Sequence, residues 1–120
     1  MTTIDIARHP VLDRQTLDNL GVELSSRDGA LQFAGTFSDM LPRRVDAVEA
    51  AFAAGNGDAA VVALLSLKVS AAMVGARRLE EMSSTALGLL GDTAAAHAGA
   101  IAHLRSYGAE FESVIGGIIR

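Results

Sequence analysis

Residues 63–76 read Ala63-Leu64-Leu65-Ser66-Leu67-Lys68-Val69-Ser70-Ala71-Ala72-Met73-Val74-Gly75-Ala76. Nothing in this run interrupts a helix before Gly75, and the run is apolar on nearly every side. A helix apolar all round is either fully buried or keeps a second face for a partner. At roughly 100° per residue, Ala60, Leu64, Leu67, Ala71 and Val74 fall on one stripe, the core stripe. Val62, Leu65, Val69 and Ala72 fall on a different flank, which in a small bundle faces water. Lys68 lies between the two, beside Leu65 and Ala72. It is the only lysine, the other nine basic residues being arginine.

Working outward, Gly75 allows a bend, and a further helix is expected from about Ala76 to Leu90, with Leu79, Met82, Ala86, Leu89 and Leu90 as its apolar positions. On the other side, Ala54-Gly55-Asn56-Gly57-Asp58 is a turn: glycines close one helix, and Asn56 or Asp58 opens the next. It lacks the preceding strand and the Gly-Lys-Ser/Thr ending of a phosphate-binding loop. Before it, a long helix is expected to begin at Ser26 or Asp28 and reach about Ala54. Its seam, Leu31, Ala34, Phe37, Leu41, Val45, Val48 and Phe52, advances in steps of three and four. Pro42 sits inside it and predicts a kink or a join.

At the N-terminus, Asp13 is a good cap, with Leu12 and Leu17 placed as a hydrophobic staple. A short helix from Asp13 to Leu24 follows, with Leu17, Leu20 and Leu24 at helical spacing. Residues 1–10 read as a tail, extended or loosely held. At the other end, Gly91-Asp92-Thr93 repeats the glycine stop and aspartate cap. The last helix, Thr93 to about Ile119, places Ile101, Leu104, Phe111, Ile115 and Ile118 on one side.

The fold class that follows is all-α: an antiparallel, up-and-down four-helix bundle over residues 11–120 with a short additional N-terminal helix. Composition agrees. The 120 residues suffice for one domain, half of them are hydrophobic, and only 4% are aromatic, so the core is built of Leu, Val, Ala and Met. Cysteine is absent, which excludes disulfides, thiol catalysis and cysteine metal sites. The net charge of −4 disfavours nucleic acid as a partner. No apolar run of about 18 residues is free of polar breaks, so no membrane span is expected. Met1-Thr2-Thr3-Ile4-Asp5 has neither the basic nor the apolar region of a signal peptide, and a cytoplasmic location is the expectation. Arg43-Arg44, Arg77-Arg78, Glu80-Glu81 and Glu110/Glu112 read as solvated helix-surface charges.

The run 65–76 resembles the phosphoacceptor helix of histidine-phosphotransfer (HPt) domains, whose pattern is roughly His-Ser-Leu-Lys-Gly-Ser-Ser/Ala-Ala-Asn-Leu-Gly-Ala. Ser66, Leu67, Lys68, Ser70, Ala71, Ala72, Gly75 and Ala76 match in place. The run Phe37-Ser38-Asp39-Met40-Leu41-Pro42-Arg43-Arg44-Val45 is similar to the family's second helix, and the likeness extends over roughly residues 11–120. The departures fall on the chemistry. Leu65 stands at the phosphoacceptor histidine, Val69 at the glycine that leaves room for a receiver domain, and Met73 at a polar position. Leu65 has no nucleophilic atom, so phosphotransfer there is ruled out, and no catalytic residue, cofactor or metal is assigned.

What the resemblance implies is a docking face without the transfer step: Val62, Leu65, Lys68, Val69 and Ala72 binding a response-regulator receiver domain or a histidine kinase. Two other readings compete. The same helix could seal a homodimer, or another histidine could carry phosphate. His97 falls near the apolar stripe of the last helix, His103 at its edge and His9 in the tail, and none has helical metal-ligand spacing with Asp92.

Overall fold

The computed structural model describes residues 6–119. Among them five helices follow in order: α1 (Arg14–Glu23), α2 (Arg27–Ala53), α3 (Gly57–Val74), α4 (Arg77–Leu87) and α5 (Ala94–Ile119). The described chain is all-helical, as composition and periodicity predict.

Short polar side chains set most of the helix starts by accepting otherwise unpaired backbone N–H groups. Asp13 Oδ1 accepts from the N–H of Gln15 at 3.1 Å and of Thr16 at 3.4 Å. Ser26 Oγ accepts from Gly29 at 2.8 Å, and Asn56 Oδ1 from Ala59 at 3.0 Å. At α5 the cap is Thr93, whose Oγ1 accepts from Ala96 at 3.1 Å. Asp92, expected to cap, instead accepts from the Thr93 N–H at 2.8 Å. Gly55, at φ +66°, closes the turn ahead of α3.

One other expectation is narrowed and two are corrected. α2 runs unbroken through Pro42, which is therefore not a join. Leu41 and Val45, on either side of it, are both buried and hold the two halves to the core. α4 stops at Leu87, leaving Leu89 and Leu90 half-buried in the connection to α5. Leu24 lies past the end of α1, where the helix face no longer turns inward, and is 48% exposed.

α2 packs against α5 and α3, α3 also against α4, and α4 against α5, while α1 touches α2 and α3. One continuous core results. The α2 seam supplies Ala34, Phe37, Leu41, Val45 and Val48; α5 supplies Ile101, Leu104, Phe111 and Ile115. Phe37 and Phe111 meet edge to face, with centroids 5.6 Å apart. Tyr107, Gly108 and Ser83 are also buried, the Ser83 hydroxyl donating to the Leu79 carbonyl at 2.8 Å.

The described part of the N-terminal segment is anchored rather than loose. Ile6 joins the core. Arg78 Nε donates to the His9 carbonyl at 2.7 Å, and Nη2 to the Ala7 carbonyl at 2.9 Å. Arg78 also pairs with Glu110 at 3.3 Å. Arg77 lies 3.7 Å from Asp13 and 3.4 Å from Glu80. These arginines, expected as plain surface charges, tie segments together. The expectation for residues 1–5 lies outside the described residues.

Candidate functional site

The orientation of α3 is fixed at its C-terminal end. Gly75 adopts φ +81°, and its carbonyl accepts the Asp13 N–H at 2.7 Å. A Cβ on Gly75 would come 2.5 Å from the Asp13 carbonyl oxygen, so only glycine lets the start of α1 sit this close. With that end held, Ala60, Leu64, Leu67, Ala71 and Val74 turn inward and are all buried. This is the core stripe read from the sequence.

The other flank faces out. Val62 is 69% exposed, Leu65 45% and Val69 57%. Lys68 and Ala72 are half-buried on the side of that flank away from Ser66 and Ser70. The five residues singled out from the sequence thus lie together on one surface of one helix. Among the described residues Lys68 has no ion-pair partner.

Sequence reasoning missed three further members of this surface. Met73, one turn beyond Val69, is 42% exposed, and on the neighbouring α2, Phe33 and Met40 are 37% and 40% exposed. Phe33 and Met40 are seven residues apart, so they share a face of α2, and that spacing was available in the sequence. Between them and α3 runs a groove of about 390 Å³ lined by Phe33, Thr36, Met40, Arg44 and Ser70. Arg44 closes one end of it: its Nη1 donates to Ser66 Oγ at 2.9 Å, and its Nε is buried without a hydrogen-bond acceptor. Arg44 was expected as a solvated charge and is instead a tie between α2 and α3.

The centre of the face is hydrocarbon, and its unpaired cation, Lys68, is at the edge. The residues named on it carry no carboxylate, thiol or imidazole. By length and composition α3 is also apolar enough to cross a membrane. Ser66, Lys68 and Ser70 interrupt it, and its inner stripe packs into the protein core.

The histidines are engaged elsewhere. His97 stacks on Phe52 with ring centroids 4.0 Å apart, and its Nε2 lies 2.6 Å from the Leu89 carbonyl oxygen. His103 stacks loosely beside Tyr107 at 6.0 Å, and His9 is 4.0 Å from Glu81. Each of these contacts is explained by packing or by fastening a connection. Comparison with protein-family models, with curated proteins and with solved structures gives no match.

Proposed function

We propose that this chain is a phosphorelay interaction protein. It resembles a histidine-phosphotransfer domain that has lost its phosphoacceptor, and it binds receiver domains or histidine kinases in the cytoplasm without passing phosphate. The arrangement proposed with it is an antiparallel up-and-down four-helix bundle of α2 to α5, with α1 across one end. The cyclic packing of α2, α3, α4 and α5 supports that arrangement.

One observation carries the reading. Leu65 points outward from the middle of α3 while Leu64 and Leu67 point inward. That is the register in which a phosphoacceptor would be presented to a docking domain. The apolar centre of Leu65, Val62 and Val69 with Lys68 at its rim has the make-up of a transient interface. The lysine would meet the acidic pocket of a receiver, a contact that salt weakens.

The test is binding of the purified chain to receiver domains from the same organism, followed by repair of the site. Leu65→His combined with Val69→Gly restores an imidazole and an open approach, and the doubly changed protein is expected to take acid-labile label from a phosphorylated receiver. A folded double variant that takes no label from any donor, together with no receiver binding by the parent chain, would end this reading.

A further inference from the structure

The exposed apolar residues of α3 and α2 form relief rather than a flat patch. Val62, Leu65, Val69 and Met73 stand in a ridge along α3. Beside the ridge, on the neighbouring α2, lies the groove, lined along that helix from Gly29 to Arg44 with Phe33 and Met40 among its residues and by Ser70 of α3. A surface carrying a ridge and a groove side by side is self-complementary. A two-fold axis lying in the contact plane, running along the ridge and groove and midway between them, sets each copy's ridge into the other's groove.

The size fits the same occupant. The six residues are on average about half exposed, which leaves roughly 500 Å² of apolar surface in one patch, at the upper range for a monomer. A standard interface takes about 800 Å² from each partner, and about 65% of a homodimer interface is apolar, so the apolar share required is again roughly 500 Å². The charges also permit it. Lys68 lies on the side of the ridge away from the groove, so the two copies of Lys68 end on opposite rims in water. Arg44 is already held by Ser66. A bilayer surface offers no ridge to fill the groove.

We propose that a second copy of this chain covers this face, giving a two-fold homodimer in which the α3 ridge of each copy seats in the α2–α3 groove of the other. This goes beyond the docking reading and does not rest on it. Because both occupants use Leu65, however, the dimer and a receiver complex exclude one another.

Sedimentation velocity of the full chain from about 1 to about 100 μM tests it. The expected result is a species of twice the 12.4 kDa chain mass that grows with concentration. Leu65→Asp is expected to weaken dimerisation by about tenfold or more while keeping the helical circular dichroism. Val22→Asp, at an apolar residue 78% exposed on α1, leaves it unchanged. The chain has no cysteine, so Val69→Cys adds a single thiol. A short bis-maleimide should then join two chains, whereas Ala109→Cys, exposed on α5, should give only monomer.

A monomer at every concentration overturns the proposal. So does a dimer that persists in a folded Leu65→Asp chain, or cross-linking of the Ala109→Cys chain in place of the Val69→Cys chain. A monomer that floats with phosphatidylcholine–phosphatidylglycerol vesicles would assign the face to lipid and also overturn it. Receiver binding, measured below the dimerisation range, fails or succeeds separately from these outcomes.

Discussion

α2 has two seams, and they are finished differently. Toward α5 the buried Leu41 and Val45 share their outer edge with Arg105, the centre of an ionic latch. Arg105 Nη2 lies 2.9 Å from both Asp46 and Glu49. The hydrogen bond to Asp46, and then that to Glu49, holds the Arg105 guanidinium above its ordinary pKa. Toward α3 the core is equally tight, with Leu64, Leu67 and Ala71 fully buried, but the roof is hydrocarbon: Phe33, Met40, Val69 and Met73. A single side-chain hydrogen bond, from Arg44 to Ser66, ties that outer edge among the described residues. A seam roofed with charge is complete in water. A seam roofed with exposed methyl and thioether groups gains by being covered, and that asymmetry singles out the α3 face.

The sharpest way to break this comparison is to truncate neighbouring leucines of α3. Leu64→Ala removes a wholly buried side chain and should cost about 3 kcal/mol in urea denaturation, from lost burial plus the cavity left behind. Leu65→Ala, one residue on, should cost under about 1 kcal/mol. Equal losses would mean that the outer flank belongs to the core. Gly75→Ala should cost about 2 kcal/mol, because alanine at φ +81° is strained and its Cβ meets the Asp13 carbonyl. A neutral result would remove the device that sets which face of α3 looks outward. The smallest effect belongs to the latch. Arg105→Ala should cost no more than about 0.5 kcal/mol, and less in high salt, since both carboxylates and the guanidinium are well exposed. A larger, salt-insensitive loss would show that the α5 seam depends on it.

Much of this was legible from residue spacing. The separation of Leu64 and Leu67 from Leu65 and Val69 follows from 100° per residue, since a helix held by neighbours has no freedom to rotate its stripe. Caps were legible where the side chain reaches its own helix, as at Asp13, Ser26 and Asn56. Long-range ties were not. Nothing local to Arg78 says that it donates to carbonyls about seventy residues away. Nothing local to Ile6 says that the segment before α1 folds back onto the core.

At α5, Asp92 and Thr93 are both capping residues, and only the backbone geometry decides that Thr93 takes the cap. Leu89 and Leu90 keep the apolar rhythm of α4 beyond its end because they pack from the connection. Phe33 and Met40 were missed for a different reason. They lie off the main seam of α2, and apolar residues off a seam gain meaning only when a neighbouring helix, here α3, places more of them alongside.

The central claim is that the outer face of α3 is a protein-binding surface and no part of the fold's own stability. Leu65→Asp tests it most directly, with thermal unfolding and receiver binding measured on the same dilute sample. The account predicts an unchanged melting temperature and at least about a tenfold loss of binding relative to the parent chain. A chain that unfolds on this substitution, or one that stays folded and binds as the parent does, would contradict it.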